Sequence, residues 1–157
     1  QDNPSELIGS ARMEALIQEL KDLGFLVKLD TNGSNPQRLD QLIQTGKVDF
    51  VSMDVKAPLN PFPYSRATGL PVRLEPILES IEILKRGKVD YEFRMTVVPG
   101  LHNKEDIHTL GNQLRVGPRL ILQNFNPENP LDPWMKSIVP YDPGALKKIE
   151  EEVQGMI

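Results

Sequence analysis

The sequence contains no cysteine, which excludes disulfide bonds and thiolate-bound metal sites within its 157 residues. Histidine is scarce as well. We expect a loop role for His102 and a helix-face position for His108, because no nucleophile–base pair stands around either residue. No run of basic residues is present and the net charge is -4, so nucleic acid and anionic membranes are not expected as partners. No apolar stretch is long enough to cross a bilayer.

The composition is that of an ordinary globular protein. Hydrophobic residues make up 39% of the chain and charged residues 25%, which argues against a disordered protein. A length of 157 residues suffices for one hydrophobic core and is short for two. We therefore expect a single domain over residues 1–157, and the lack of cysteine fits a cytoplasmic protein.

Helix-type and strand-type patterns alternate along the chain. The predicted helices cover residues 5–23, 35–46, 75–85, 103–114 and a segment from 142, and the predicted strands cover 25–29, 48–55, 91–98 and 119–125. Two proline-rich segments, 57–71 and 126–140, are predicted as loops. The alternation indicates βαβ units and hence an α/β fold with a parallel sheet. Four strands are too few to close a barrel, so an arc of a barrel or an open sheet is expected.

Polar residues stand at the carboxyl end of each predicted strand. They are Asp30, Thr31, Asn32, Ser52, Asp54, Lys56, Glu92, Arg94, Thr96, Gln123, Asn124 and Asn126. Functional groups in parallel α/β sheets gather at this end, so we expect a ligand site there. Because alternate residues of a strand share a face, Ser52, Asp54 and Lys56 should point together.

The chemistry of these residues suits a small charged metabolite. Oxygen atoms that a hard cation prefers come from Asp30, Thr31, Ser52 and Asp54. Lys56 and Arg94 are suited to a carboxylate, and arginine offers a two-pronged contact. A cation site beside a carboxylate clamp is therefore the functional interpretation.

Each residue also has a structural interpretation. Asp30 could cap a helix or form a turn, and Asp54 with Lys56 could be a solvated ion pair. Arg94 could pair with Glu92 within the sheet. Buried charge is costly unless it is paired, so agreement among four strand ends favours a ligand site.

Four segments in order resemble one family. They are "KLDTNG", "VDFVSMDVKAPL", "YEFRMTVVPGLHNKEDI" and "LILQNFNPENPLDP". Together they are similar to the radical S-adenosylmethionine (radical SAM) activating enzymes, nearest to the activating proteins of anaerobic ribonucleoside-triphosphate reductase. Pyruvate formate-lyase activating enzymes are close relatives. The resemblance runs over nearly the whole chain and implies the C-terminal part of a partial, TIM-like (βα)6 barrel.

The resemblance also implies chemistry and site residues. In the family, S-adenosylmethionine at a [4Fe-4S] cluster yields a 5'-deoxyadenosyl radical, which abstracts hydrogen from a glycine of a partner enzyme. The residues that match a monovalent-cation site are Asp30, Thr31, Ser52 and Asp54. The residues assigned to cofactor binding are Asn32, Lys56, Arg94, Gln123 and Asn126. The position of Asn126 is a histidine in the pyruvate formate-lyase activator. No catalytic residue is assigned.

Two family motifs do not occur in the sequence. The three-cysteine C-x3-C-x2-C loop that holds the cluster is absent, as is the "GGEP" motif that binds the amino group of S-adenosylmethionine. The opening "QDNPSELI" resembles the segment directly after "GGEPTL" in relatives. Iron–sulfur clusters need thiolates, so we expect these residues to be inactive alone and to bind no cofactor tightly.

The family implies the expected partners. They are a glycyl radical enzyme, specifically anaerobic ribonucleotide reductase, and an electron donor such as flavodoxin or ferredoxin. The proline-rich loops are expected at the active-site mouth, where Trp134 could contact the partner or anchor its own loop. Exposed barrel edges predict a homo-oligomer.

Two alternatives remain at the level of sequence. The first is a non-enzymatic truncated α/β barrel that binds a metabolite or a protein. The second is an unrelated open α/β domain of the flavodoxin kind, which the lack of a glycine-rich phosphate loop disfavours.

Overall fold

The computed structural model describes residues 4–115, 120–128 and 133–155, with side chains from residue 11 onward. In chain order the elements are α1 (Pro4–Asp22), β1 (Lys28–Thr31), α2 (Pro36–Gln44), β2 (Phe50–Asp54), α3 (Pro61–Thr68), α4 (Glu75–Lys85), β3 (Asp90–Val97), α5 (Lys104–Leu114), β4 (Leu120–Asn124), a 3-10 helix (Pro133–Ser137) and α6 (Pro143–Gln154). None of the helices in these described ranges is both long and apolar enough to cross a membrane.

The strands form one sheet in the order β1-β2-β3-β4, so each strand follows its chain predecessor across the sheet. Strands β3 and β4 are parallel, and their register runs from Phe93 opposite Leu120 to Val97 opposite Asn124. Parallel neighbours joined through helices are βαβ units. The predicted α/β fold with a parallel sheet is confirmed.

The contacts divide the chain into two compact units. The first unit comprises Gln1–Ser52 and Glu75–Tyr91, and the second comprises Met53–Leu74 and Glu92–Ile157. A single domain over residues 1–157 stays a prediction.

In the first unit, two helix ends are formed by the residue types that usually occur there. Gly24 follows α1 with a φ of 83°, and the amide of Phe25 bonds to the carbonyl of Leu20 at 3.0 Å, which closes the helix in a Schellman motif. Asn35 caps α2 by accepting the amide of Arg38 at 3.0 Å. The two helix ends therefore bound the segment that contains β1.

The start of β1 differs from the prediction. We expected the apolar run 25–29 to be a strand, but β1 begins at Lys28. Phe25 and Leu26 are 57% and 83% exposed. The amide of Phe25 is already used by the C-cap of α1, so this residue belongs to the helix end and cannot open the strand.

Packing in the first unit joins α2 to α4. The buried leucine and isoleucine residues of these helices are Leu39, Leu42, Ile43, Ile77, Ile81, Ile83 and Leu84. The buried hydroxyl of Ser80 on α4 donates to the carbonyl of Gly33 at 2.8 Å, which fixes the turn after β1. A buried polar group with a partner costs little, so this bond directs the turn without penalty to the core.

Asp49 ties the connection before β1 to the start of β2. Its carboxylate accepts from the Lys21 ammonium at 2.8 Å and from the Val27 amide at 2.7 Å. The hydrogen bond from Lys21 is the main cause that lowers the pKa of Asp49, followed by the bond from Val27. The carboxylate is therefore charged at neutral pH.

In the second unit, α6 packs on β4 and on α5. Three side chains of α6, Leu146, Ile149 and Val153, are buried. The helix begins as predicted, because Asp142 accepts the amide of Ala145 at 2.9 Å and Pro143 stands in the first turn. Asn103 caps α5 in a full capping box with Asp106.

Side chains of α6 also bond to the backbone of β4, the last strand in the sheet order. Glu150 accepts the amide of Leu122 at 2.6 Å, and the amide group of Gln154 donates to the carbonyl of Leu120 at 3.1 Å. An edge covered in this way offers fewer groups for pairing with another chain. The edge that we expected to be exposed is therefore partly covered at β4, and oligomerisation stays a prediction.

We predicted the first proline-rich segment, residues 57–71, to be a loop. This is wrong for part of the segment, because it contains helix α3. Pro61 and Pro63 stand in its first turn, where the amides have no partner within the helix and proline costs nothing. Gly69 ends the helix with a φ of 72°, in the left-handed region. The prolines start this helix and do not break it.

The second proline-rich segment contains the short 3-10 helix Pro133–Ser137. Residues 129–132 of this predicted loop lie outside the described residues, as does Arg119 at the predicted start of the fourth strand. Trp134 is 56% exposed and therefore is not a core anchor of its loop.

Candidate functional site

A cavity of about 680 Å³ lies within the second unit, at the carboxyl ends of β3 and β4. Its lining residues come from the ends of β3 and β4, from the segments that follow β2, β3 and β4, from α3 and from the 3-10 helix. They are Lys56, Ala67, Thr68, Thr96, Val98, Leu101, His102, Gln123, Asn124, Phe125, Asn126 and Met135. A volume in this range is typical of a small-molecule site. The lining is chemically mixed, because it includes apolar side chains, side-chain amides and the ammonium group of Lys56.

Three of the five residues assigned to cofactor binding line this cavity, namely Lys56, Gln123 and Asn126. Asn32 lies in the first unit, where its side chain accepts the amide of Ser34 at 3.0 Å. This bond is the turn-forming role that asparagine often has. Arg94 does not line the cavity but donates to the carboxylate of Asp54, two residues before Lys56.

Asp54 joins the two cationic side chains. The Arg94 guanidinium places Nε and Nη2 both 3.1 Å from Oδ1 of Asp54, and the Lys56 ammonium lies 3.4 Å from Oδ2. The Arg94 side chain is 17% exposed, which makes it the most buried of the three. Two cations around one carboxylate leave one positive charge on these three groups, so the cluster can still attract an anion. The ion pair of Asp54 and Lys56 that the structural interpretation foresaw is present.

The main chain of Lys56 is held at both ends of the residue. Its amide donates to the Tyr64 hydroxyl at 3.3 Å, and its carbonyl lies 2.8 Å from Nε2 of His102. Nδ1 of His102 accepts the amide of Val98 at 3.0 Å. Since Nδ1 is an acceptor, the proton of the neutral ring must sit on Nε2, where it is donated to Lys56.

The pKa values of His102 and Tyr64 agree with these hydrogen-bond roles. Burial lowers the pKa of His102 below its ordinary value of 6.5, against a smaller raising effect of the bond to Lys56, so the ring is neutral at pH 7. Burial also raises the pKa of Tyr64 to about 12, so the hydroxyl keeps its proton. His102 has the loop role that the sequence suggested. His108 is a helix-face residue as predicted, with Nε2 3.0 Å from Glu152.

The residues of the predicted cation site fall in both units. Asp30, Thr31 and Ser52 belong to the first unit and Asp54 to the second. The side chain of Ser52 is fully buried, and the Thr31 hydroxyl accepts the amide of Gly33 at 3.1 Å. Within the described ranges, no group of three or more His, Cys, Asp or Glu side chains is placed to hold a metal ion. The four-residue cation site stays a prediction.

Sequence reasoning missed the contribution of α3 to this site. Ala67 and Thr68 line the cavity, and Tyr64 holds the Lys56 amide. The pair Asn60-Pro61 carries the signal that could have found the helix, because Asn-Pro and Asp-Pro also precede α2 and α6.

Comparisons with known proteins agree with the resemblance seen in the sequence. No family model matches the chain. A protein of Methanocaldococcus jannaschii that is provisionally named a glycyl-radical enzyme activating enzyme is 31% identical over 121 residues, which cover 75% of this chain and 50% of that protein. The chain therefore spans about half the length of this curated relative.

A solved structure has the same fold. The domain of pyruvate-formate lyase-activating enzyme from Bacteroides vulgatus matches 99% of this chain and 91% of its own, with a TM-score of 0.73 and 12% identity. At this identity the likeness concerns the fold alone, and it confirms the predicted class of parallel βα repeats. The sequence relative and the shared fold together support the radical SAM activating enzyme family, with this chain matching part of such an enzyme.

Proposed function

We propose that these residues are part of a glycyl-radical enzyme activating enzyme and that the cavity of the second unit receives S-adenosylmethionine. The observation that carries the proposal is the gathering of Lys56, Gln123 and Asn126 around one cavity of about 680 Å³. The resemblance of the sequence to the family assigned them to this cofactor, and their convergence on one cavity supports that assignment.

The donor set suits the groups of S-adenosylmethionine. The ammonium of Lys56, beside the guanidinium of Arg94, provides positive charge for the carboxylate of the methionine moiety. The amides of Gln123 and Asn126 can donate to and accept from ribose and adenine. Phe125 and other apolar lining residues provide a surface for the flat base.

The same residues do not fit the iron–sulfur cluster. The chain has no cysteine, and cluster iron in this family is held by thiolates. In an activating enzyme, S-adenosylmethionine beside such a cluster supplies the 5'-deoxyadenosyl radical. The residues described here bind and orient the cofactor, and no step of the radical chemistry runs through them.

The monovalent cation and the partners complete the proposal. Asp30, Thr31, Ser52 and Asp54 are the residues proposed to hold the cation beside the carboxylate of the cofactor. Support comes from Asp54, whose side chain is 35% exposed and can reach a further ligand. The partner would be a glycyl radical enzyme, more specifically anaerobic ribonucleotide reductase, and a flavodoxin or ferredoxin would supply the electron. A cytoplasmic location fits such partners.

The function is tested on the native gene product, purified from its own source without oxygen. We expect a mass above 17.7 kDa, bound iron, and formation of 5'-deoxyadenosine from S-adenosylmethionine once a reductant is added. A mass of 17.7 kDa without iron would instead support the alternative of a non-enzymatic, metabolite- or protein-binding α/β module. The observation that favours this alternative is that these residues include no cysteine and hence no thiolate.

The role of Lys56 is tested by a charge-removing substitution in the complete protein. We expect Lys56→Gln to weaken the binding of S-adenosylmethionine about 10-fold, because a charge-assisted hydrogen bond is lost. Titration calorimetry measures the dissociation constant.

Lys104→Gln is the matched control for Lys56→Gln. Lys104 is a half-exposed lysine that also pairs with a carboxylate, that of Glu152 at 2.9 Å, but it does not line the cavity. Equal affinities for the two variants would exclude Lys56 from the cofactor site.

A further inference from the structure

We propose that Tyr64 and His102 are positioning residues for Lys56, and that they fix its peptide from opposite sides so that its side chain stays at the cavity. This inference rests on the proposed function, because it assigns to Lys56 a ligand to bind. Neither residue was assigned to the cofactor from the sequence. Both are buried, with 1% and 5% of their surfaces exposed.

Lys56 needs such support because of where it stands. Strand β2 ends at Asp54, so Lys56 lies beyond the last strand residue. The amide of Val55 still bonds to the carbonyl of Arg94 on β3 at 2.8 Å. The peptide groups of Lys56 instead bond to side chains, and those bonds set the direction in which the chain leaves the sheet.

On the carbonyl side, His102 is locked in one tautomer and one orientation. Its Nδ1 accepts the Val98 amide, so only Nε2–H can face the Lys56 carbonyl at 2.8 Å. The Tyr141 hydroxyl donates to the carbonyl of His102 at 2.9 Å and holds the histidine itself. The imidazole thus acts as a rigid spacer between the ends of two strands.

On the amide side, Tyr64 accepts the Lys56 amide from helix α3. This helix and the segment before it are fastened in turn to other parts of the second unit. Arg66 donates to the carbonyl of Gly100 at 2.6 Å, and Gln113 of α5 accepts the amide of Leu59 at 2.7 Å. Tyr64 is therefore presented by an anchored helix and not by a free loop.

The consequence concerns the ammonium group of Lys56. A side chain can bind a ligand with little loss of entropy only if its backbone is already placed. Loss of either contact lets the Lys56 peptide turn, and the ammonium then samples positions away from Asp54 and the cavity. The expected result is a weaker cofactor affinity that is not explained by a loss of folding stability.

Two substitutions of His102 separate positioning from general stability. Gln can place a donor near the position of Nε2, whereas Asn can place an acceptor near that of Nδ1. We expect His102→Asn to weaken S-adenosylmethionine binding about 5-fold, and His102→Gln to restore part of that loss, with similar urea midpoints for both variants. Calorimetry on the complete protein provides the affinities.

Tyr64→Phe is the matching change on the amide side. It removes only the hydroxyl, and we expect a loss of about 2-fold because its hydrogen bond of 3.3 Å is long. Tyr91→Phe removes a tyrosine hydroxyl from the first unit and is the control. A loss of the same size in Tyr91→Phe would overturn the role of Tyr64.

Hydrogen exchange of the peptide that contains Lys56 gives a readout that needs no ligand. Exchange is expected to be faster in His102→Asn and in Tyr64→Phe than in the unaltered protein. If the unaltered protein binds no S-adenosylmethionine, the proposed function fails, and the exchange rates alone decide the positioning. Equal exchange in all proteins, or equal losses of affinity in His102→Asn and His102→Gln, would overturn the positioning role.

Discussion

Replacing Phe93 with alanine is expected to lower the free energy of unfolding by about 3–5 kcal/mol, which is enough to unfold a large share of a marginally stable protein. Phe93 is fully buried on β3, a strand that has a neighbour on each side. Its face of the strand also carries the fully buried Met95 and Val97. The loss combines the transfer of the ring from water with the cavity that it leaves behind.

The matched control is the same substitution at a surface position. Phe62 on α3 is 78% exposed, so Phe62→Ala removes little buried area and should change the stability by less than about 1 kcal/mol. Urea unfolding of the complete protein measures both variants. Similar losses at the two positions would show that β3 does not lie in the core.

The second large effect is expected at Gly111 on α5. A Cβ atom at this position would overlap the Cγ1 atom of Val153 on α6, so the two helices approach each other where the glycine has no side chain. Gly111→Val adds three carbons to this contact and should lower the free energy of unfolding by about 3 kcal/mol. Thermal or urea unfolding measures the loss.

A double-mutant cycle tests the cause of this loss. Val153→Ala alone destabilises by removing buried surface, because Val153 is fully buried. Combined with Gly111→Val it makes room for the new side chain, so the double variant should be more stable than the sum of the single losses predicts. Additive losses would mean that Gly111→Val acts through the conformation of α5 and not through its contact with α6.

Much of the fold could be predicted because its signals are local. Capping residues stand at the starts of α2, α5 and α6, with a proline in the first turn of α2 and α6, and side chains alternate along β3. Two predictions were wrong, namely the start of β1 and the assignment of the α3 segment to a loop. In both, a local pattern was interpreted without its competitor, namely the C-cap that uses the amide of Phe25 and the tolerance of a first helical turn for proline.

The candidate site also has a part that the sequence could predict and a part that it could not. The convergence of Lys56, Gln123 and Asn126 on one cavity could be predicted, because parallel strands bring their carboxyl ends to one edge of the sheet. The contact of His102 with Lys56 joins residues 46 positions apart, and no pattern in the sequence encodes such a distance. Asp54 likewise bonds to Arg94, 40 positions away, because β2 lies beside β3 in the sheet. Sequence periodicity assigns a residue to a face but does not identify its partner.

The cover of β4 by α6 has a consequence for synthesis on the ribosome. Glu150 follows Leu122 by 28 residues, and Gln154 follows Leu120 by 34. At about 5–20 residues per second, the strand is therefore made roughly 1–7 s before the side chains that occupy its backbone groups. During that interval the nascent chain presents the backbone groups of Leu120 and Leu122 without their caps, which is when a chaperone would have most to protect.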